Sequence, residues 1–536
     1  MTASAALVRS RATPLILEMP QQRRELFEGQ SVFRSFTVLW FRSQVQVKRR
    51  TWLTFLLRCL AMNEPALGIP ATAEESRSTT IVARESGLQR NLSPAQLAML
   101  GLGSTIGTGL FLGSAISVKL AGPAVILSFV AAACIAIPMM WALAEMSAAH
   151  PTAGSFGLYA EMYLHPWAGF AIRLTYWLCM MVVVGSEVVA ASIYCRLWFP
   201  GVPPWLWISL FSFLVLYVNT TNIENLGTFE YWLSMIKVVT IFAFLLLGSA
   251  LLFGIGFPKV GFANFTAHGG FLPNGWSGVG LGVVLGLFSF FGIEVVGSTA
   301  GEAANPKEAV PKALRNTVAA LVLFYVAGLA LVVGIVPWPQ IGMGESPFVR
   351  VFQTVGIPAA THVMNFVVLT AALSSAVANL YFTARLAFSL ARGGYLPAVL
   401  GRLSKKEMPM TAVLASGAGM LAATMLLAKY FQDSLFVSMI AVSTFGALFA
   451  WLMTLLTHLA FRRHHRRNGK PYLQLGPAGP WASLFGLAAV LAVILSTWWV
   501  PGFRIMLRAG VPWLALLTVC YFVWRSKVLR TSDRGE

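Results

Sequence analysis

The sequence predicts an all-α, polytopic membrane protein of twelve transmembrane helices. Composition is the first reason. Of 536 residues, 57% are hydrophobic and only 11% charged, where a soluble domain carries about 25% charged residues. Run length is the second. Apolar stretches repeatedly approach the roughly 20 residues with which a helix crosses about 30 Å of hydrocarbon. Continuity is the third. A membrane β-barrel alternates polar and apolar residues in segments of about ten, whereas runs such as "VAGLALVVGIV" and "LFGLAAVLAVIL" do not alternate.

Residues 1–61 form a basic extension, with ten Arg or Lys from Arg9 to Arg58 against Glu18, Glu25 and Glu28. Its stretch "TWLTFLLRCLA" is too short to span and lacks a signal-peptide cleavage pattern. The favoured reading takes Met62 as the start and 1–61 as a non-native gene-model extension; the other is a basic helix lying on the membrane surface. Residues 62–93 are polar and read as a disordered cytoplasmic tail.

Spans one to five fall at 94–118, 123–147, 166–197, 204–220 and 229–254. Spans six to ten fall at 278–301, 314–336, 358–390, 411–428 and 434–460, and the last two at 481–500 and 509–526. The runs at 166–197, 358–390 and 434–460 exceed the bilayer and imply tilt or protrusion. Residues 527–536 make a short tail.

Twelve spans put both termini on one side, and the basic residues say which. One set of loops holds Lys307, Lys312 and Arg315, then Arg392, Arg402, Lys405 and Lys406, then Arg462, Arg463, Arg466, Arg467 and Lys470. The opposite loops are poorer, with Lys259, Arg350, Lys429, Arg504 and Arg508. The positive-inside rule places both termini in the cytoplasm. The net charge of +19 is therefore spread over one membrane face. That argues against nucleic acid as a partner, and "FRRHHRRNGK" reads as a topology determinant touching anionic lipid. The five cysteines are scattered without a CxxC pair and read as small buried hydrophobes. Neither HExxH, GxSxG nor a cluster of His, Asp and Glu points to an enzyme, a metal or a cofactor.

Polar groups inside spans carry the functional signal. Glu187, Lys237 and Glu294 lie within apolar runs, with Arg385 nearer an end. Each costs about 3 kcal/mol at the bilayer centre unless paired or hydrated. A structural pair such as Glu187 with Lys237 remains open beside a functional role. The stretch "GSTIGTGLF", Gly103 to Phe111, raises a second question. It lacks the spacing of a phosphate loop. Its GxxxG pairs fit helix packing; its glycines also fit a helix broken at mid-membrane, whose free N–H groups and dipole ends bind a carboxylate. Broken helices come in pairs in inverted-repeat transporters. Five spans later, "FSFFGIEVVGSTAGEAANP" carries Gly292 and Gly297 around Glu294.

With these motifs in order, the chain resembles the amino acid–polyamine–organocation superfamily, in particular its bacterial amino acid permeases for aromatic amino acids, proline and 4-aminobutyrate. The resemblance rests on "GSTIGTGLFLGSA", "WALAEMSAAHPTAGSF", "TFEYWLSMIKVVTI", "FSFFGIEVVGSTAGEAANPKEAVPKA", "FVVLTAALSSAVANLYFTAR" and "AWLMTLLTHLAFRR", spread over roughly 90–470. It implies the leucine-transporter-type fold of five plus five inverted-repeat helices, 94–254 and 278–460, with helices 1 and 6 broken. It further implies a substrate carboxylate at the backbone of Thr105, Gly107, Thr108 and Gly109. The amino group would face carbonyls around Phe290, Phe291 and Gly292, and the side chain Phe291 and Ile293. Phe288 and Phe290 are candidate gate aromatics. Lys237 matches a lysine that replaces a sodium ion in proton-coupled relatives, with Glu294 and Glu187 as further coupling candidates. Glu187 matches an acid found even in carriers of neutral solutes. The chain departs from the family at Thr228 and Leu158, where acids are common.

The expectation is a secondary active transporter in a bacterial cytoplasmic membrane, importing a neutral amino acid with a proton and using no cofactor. The alternatives are an exchanger of the same fold and a transport-inactive amino acid sensor.

Overall fold

Proline opens seven of the described helices. Pro94, Pro166, Pro204, Pro306, Pro347, Pro358 and Pro480 each stand in a first turn, where a missing N–H costs nothing and the fixed φ suits the helix. The computed structural model describes residues 80–85, 92–221, 223–303, 305–342, 344–430, 434–469, 471–475, 479–499 and 503–532. The extension 1–61, the Met62 start and most of the 62–93 tail lie outside the described residues.

The helices are α1 (Pro94–Thr105), α2 (Ser114–Ala121), α3 (Val125–Ala149), α4 (Ser155–Tyr163), α5 (Pro166–Cys195), α6 (Pro204–Asn219), α7 (Ile223–Phe253) and α8 (Gly275–Phe290). After these come α9 (Glu294–Ser298), α10 (Pro306–Ile335), α11 (Pro347–Val355), α12 (Pro358–Arg392), α13 (Met410–Tyr430), α14 (Leu435–Arg467), α15 (Pro480–Ser496) and α16 (Arg504–Ser532). No strand occurs among the described residues beyond one isolated bridge, Leu92 with Ala303. Among the described residues, ten helical stretches are long and apolar enough to cross a membrane. The first of them, Pro94–Ala149, turns at Gly122, and α6 is a shorter apolar helix.

Each predicted span falls on a helix, but several helices outrun the prediction. α10 starts at Pro306 rather than 314, and α14 runs to Arg467 rather than 460. Hydropathy sees only the apolar part; Lys and Arg are good helix formers and continue the helix into water. The same holds at the end of α16, where residues 527–532 continue the helix. The helices α4 and α11, nine residues each, fall in predicted loops. They are too short for an apolar window to detect.

Burial sorts the helices. In the most apolar stretch of α5 and in that of the α8–α9 segment, 89% of residues are buried, against 22% in α16. The long α5 packs on α12 and α14, while α3 supports α8 and α10. The outward faces of α7, α15 and α16 expose Trp232, Phe242, Phe485 and Phe522, as lipid-facing helices do.

Charged side chains pin the end of the bundle at which α1 begins. Arg385 bridges Glu302 at 2.8 Å, and Tyr381 also donates to Glu302. Residues 80–85, inside the segment read as an unstructured tail, form a helical turn ending in Arg84 and Glu85. Arg84 grips Glu161 through two bonds of 2.9 and 2.7 Å; Glu85 accepts from the Gly154 N–H at 2.6 Å and from Ser389. Burial works against the charged form of Glu161, but Arg173 and Arg84 outweigh it and hold the carboxyl below the usual range. The clasp is thus complete at neutral pH and weakens only as acid protonates Glu161.

Candidate functional site

Helix α1 is started firmly and stopped abruptly. Ser93 caps it in a reciprocal capping box with Gln96. It ends at Thr105, and the chain resumes as a π-helical turn over Gly109–Gly113 before α2. The end of a helix leaves four carbonyls without intrahelical partners. Side chains from other helices take those of this last turn. Lys237 of α7 donates to Gly103 O at 2.7 Å and Ile106 O at 2.9 Å. On α12, Ser375 and Asn379 donate to Ser104 O at 2.9 and 3.3 Å. Tyr325 of α10 donates to Thr105 O at 3.1 Å. A cation belongs there, because a helix C-terminus carries partial negative charge. Lys237 is 1% exposed.

The second break lies directly opposite. α8 ends at Phe290, Phe291 is extended, and Gly292 has φ +106°. Gly292 N–H donates to Glu294 Oε2 at 2.7 Å, and Trp451 Nε1–H donates to Glu294 Oε1. Ser104 Oγ donates to Gly292 O at 2.9 Å, and the single Tyr325 hydroxyl proton is shared between Ser289 O at 2.7 Å and Thr105 O at 3.1 Å. One tyrosine thus ties both interrupted helices.

A cavity of about 10 Å³ lies between the breaks, with room for one water at most. Ser104, Thr105, Gly109 and Gly292 supply its backbone edge. Phe288, Phe291, Met180 and Val183 supply an apolar wall, and Glu187 and Asn379 close it. Phe291 stands edge-on to Trp451 at 5.3 Å and to Phe288 at 5.9 Å. The site is shut, and a solute enters only if these rings separate.

The residues picked from sequence therefore divide. Thr105, Gly109, Phe288, Phe291, Gly292 and Glu187 border the cavity. Phe290, expected both at the amino subsite and in the gate, turns its ring onto Tyr325 at 5.1 Å instead. Ile293 is fully buried and does not border the cavity. For Phe290 helical geometry before the break explains this: side chains two residues apart point to nearly opposite sides, so Phe288 and Phe290 cannot both face inward. Thr108 N–H, expected to meet the substrate carboxylate, donates instead to Glu187 Oε2 at 3.0 Å. Glu187 Oε1 accepts from Ser375 at 3.1 Å. The Glu187–Lys237 pairing considered from sequence is replaced by separate partners, two donors for the acid and two carbonyls for the ammonium. Glu294 is held by the second break rather than facing the cavity.

Gly107 sits against Glu187 and Ser375. A Cβ there meets Ser375 Oγ at 2.5 Å and Glu187 Oε1 at 2.6 Å. Overpacking of this kind costs about 1–3 kcal/mol. Gly107→Ala is expected to displace Glu187 from Thr108 and to weaken amino acid binding about tenfold, measured by ligand-dependent thermal shift of the purified protein. Unchanged affinity would assign Gly107 to helix packing alone.

Sequence reasoning missed Ser104, Asn379, Ser375, Tyr325, Trp451 and Glu230. "SSAVAN" does place Ser375 and Asn379 four residues apart in an apolar run, a polar stripe on one helix face. Nothing in the pattern marks Tyr325 or Trp451, whose partners lie on distant helices.

A family model described as amino acid permease matches residues 96–530. The chain is 36% identical over 447 residues to the gamma-aminobutyric acid permease of Bacillus subtilis (strain 168), covering 83% of this chain and 95% of the relative. It is 36% identical over 440 residues to the aromatic amino acid transport protein AroP of Escherichia coli (strain K12), covering 81% and 95%. A putative histidine permease of Bacillus subtilis (strain 168) is 34% identical over 451 residues, covering 82% and 94%. A helical bundle with paired breaks, and a match over nearly all of that bundle, together make this chain a multi-pass membrane protein that belongs to the amino acid permease family, a family of transporters rather than enzymes.

Proposed function

We propose that this permease imports a neutral amino acid into a bacterial cell by proton symport across the cytoplasmic membrane. Its twelve spans form two inverted repeats of five, 94–254 and 278–460, followed by two further helices. Both termini face the cytoplasm, in keeping with the basic loops. One observation carries the coupling: the Lys237 ammonium occupies the carbonyl cluster at the first break, at 2.7 and 2.9 Å. A fixed, titratable cation in that cluster leaves no need for a metal ion there.

The substrate carboxylate meets the backbone at Thr105 and Gly109, and the amino group meets the carbonyl side of the second break at Phe291 and Gly292. A neutral, apolar side chain fits the wall of Phe288, Phe291, Met180 and Val183. Both nearby acids already have donors: Glu187 has Thr108 and Ser375, and Glu294 has Gly292 and Trp451. Relatives named for aromatic amino acids and for gamma-aminobutyric acid support a neutral solute.

The test is uptake of labelled amino acids into proteoliposomes under an imposed pH gradient in sodium-free buffer. Inward acidification-linked accumulation is expected. Uptake driven only by internal amino acid and indifferent to pH would replace symport by exchange. Phe291→Ala is expected to shift preference toward bulkier side chains by about tenfold or more, read from a competition panel of the twenty amino acids. An unchanged ranking would remove Phe291 from the side-chain pocket.

A further inference from the structure

Glu230 lies two turns before Lys237 on α7 and is fully buried. Its Oε2 accepts from Ser374 of α12 at 2.7 Å. Its Oε1 is buried without a hydrogen-bond partner among the described residues. A buried unpaired oxygen of this kind costs about 1–3 kcal/mol or more, so its retention calls for a reason. Both Glu230 and Lys237 converge on Gly103. Lys237 Nζ holds its carbonyl at 2.7 Å, and Glu230 Oε2 is 2.7 Å from the point where a Cβ would stand. Only glycine leaves room there for the Ser234 hydroxyl and the Glu230 carboxyl.

The surroundings single out this pair. Helix α1 brings no ionisable residue from Pro94 to Thr105. On α10, Lys307, Glu308, Lys312 and Arg315 are exposed, and Tyr325 spends its hydroxyl on Thr105 and Ser289. On α12, Arg385 and Tyr381 are spent on Glu302. Glu187 of α5 is spent on Thr108 and Ser375. Position gives a direction as well. A Cβ on Gly227, one turn before Glu230, would touch Leu92 and Gln96 at 3.1 and 3.3 Å. Glu230 therefore lies between Lys237 and the end of the bundle at which α1 begins, the cytoplasmic end in the proposed topology.

We propose that Glu230 accepts the Lys237 proton and passes it toward the cytoplasm. The two groups form no direct ion pair, so one water relays the proton: an N–H bond of the ammonium breaks as the water accepts that proton, the water gives up another, and an O–H bond forms on the free Oε1, leaving a neutral amine and a neutral acid. The acid then releases the proton to water at the cytoplasmic end. This rests on the proton-coupled reading above. Loss of the ammonium frees the Gly103 and Ile106 carbonyls, which loosens the first break at the moment the proton departs.

The experiment uses the full chain in proteoliposomes, with an equimolar labelled mixture of the twenty protein amino acids as probe. One symported proton supports about a tenfold amino acid gradient per pH unit imposed. Wild type is expected to reach that gradient. Glu230→Gln, nearly isosteric but unable to take a proton, is expected to reach a ratio of about one while counterflow continues. Glu230→Asp, with its carboxyl retained, is expected to regain part of the gradient. The double variant Glu230→Gln with Lys237→Ala loses no more than either alone. Glu230→Gln accumulating like wild type overturns the relay. So does loss of counterflow in both Gln and Asp variants, which would make Glu230 a packing residue. A wild type that ignores pH overturns the symport reading itself, and the relay with it.

Discussion

Replacing Lys237 by alanine is expected to abolish accumulation driven by a pH gradient while leaving part of the amino acid binding. The ammonium holds two carbonyls at the end of α1, and charge-assisted bonds of this kind contribute about 1.5–3 kcal/mol each. Removing it leaves Gly103 O and Ile106 O buried without those donors and removes the titratable cation. The substrate backbone subsite at Thr105 and Gly109 is not touched directly, so binding falls less than coupling. Under about one pH unit of gradient the accumulation ratio drops from about ten to about one. The measurement pairs gradient-driven uptake with binding by thermal shift. Undiminished pH-driven uptake would remove Lys237 from the coupling step and leave it a structural plug.

Gly292→Ala is expected to be strongly damaging for a single added methyl. Gly292 has φ +106°, a conformation that side-chain-bearing residues rarely adopt. An alanine Cβ would lie 2.8 Å from Ser104 O and 3.1 Å from Thr105 N, both backbone atoms of the opposite break. Backbone strain of about 1–3 kcal/mol adds to a similar overpacking cost. Neither neighbour can move without disturbing the Ser104–Gly292 bond that joins the two breaks. The expected outcome is a protein with a lower melting temperature in detergent and no measurable uptake. Gly280→Ala in α8 is the control, since a Cβ there meets nothing within 4 Å. Equal behaviour of the two variants would refute the assignment of Gly292 as a hinge-like contact.

Much of this was legible before any coordinates. The all-helical class and the approximate positions of the apolar helices follow from hydropathy, because burying an unpaired backbone in lipid forces a helix wherever an apolar run is long enough. The breaks were legible because Gly103, Gly107 and Gly109 cluster around the first and Gly292 lies in the second, where its φ of +106° leaves helical geometry. Lys237, Glu187 and Glu294 stood out because charge in an apolar run is costly. Glu230 did not: it lies near the edge of its predicted span, beside polar residues, where an acid looks like the start of a loop.

Partnership was decided by tertiary structure alone. Sequence nominated Thr108 for a substrate carboxylate, and folding assigned its N–H to Glu187, 79 residues away. It nominated Phe290 for the gate, and the helix turned that ring to Tyr325. It left Lys237 and Glu187 as a possible pair, and packing set one on carbonyls and the other on a backbone N–H and a serine. A one-dimensional pattern records the cost of a polar group in the membrane, which depends only on its own run of neighbours. It does not record who meets that cost, because the donors come from α10, α12 and α14, distant in sequence and adjacent only once the helices have packed.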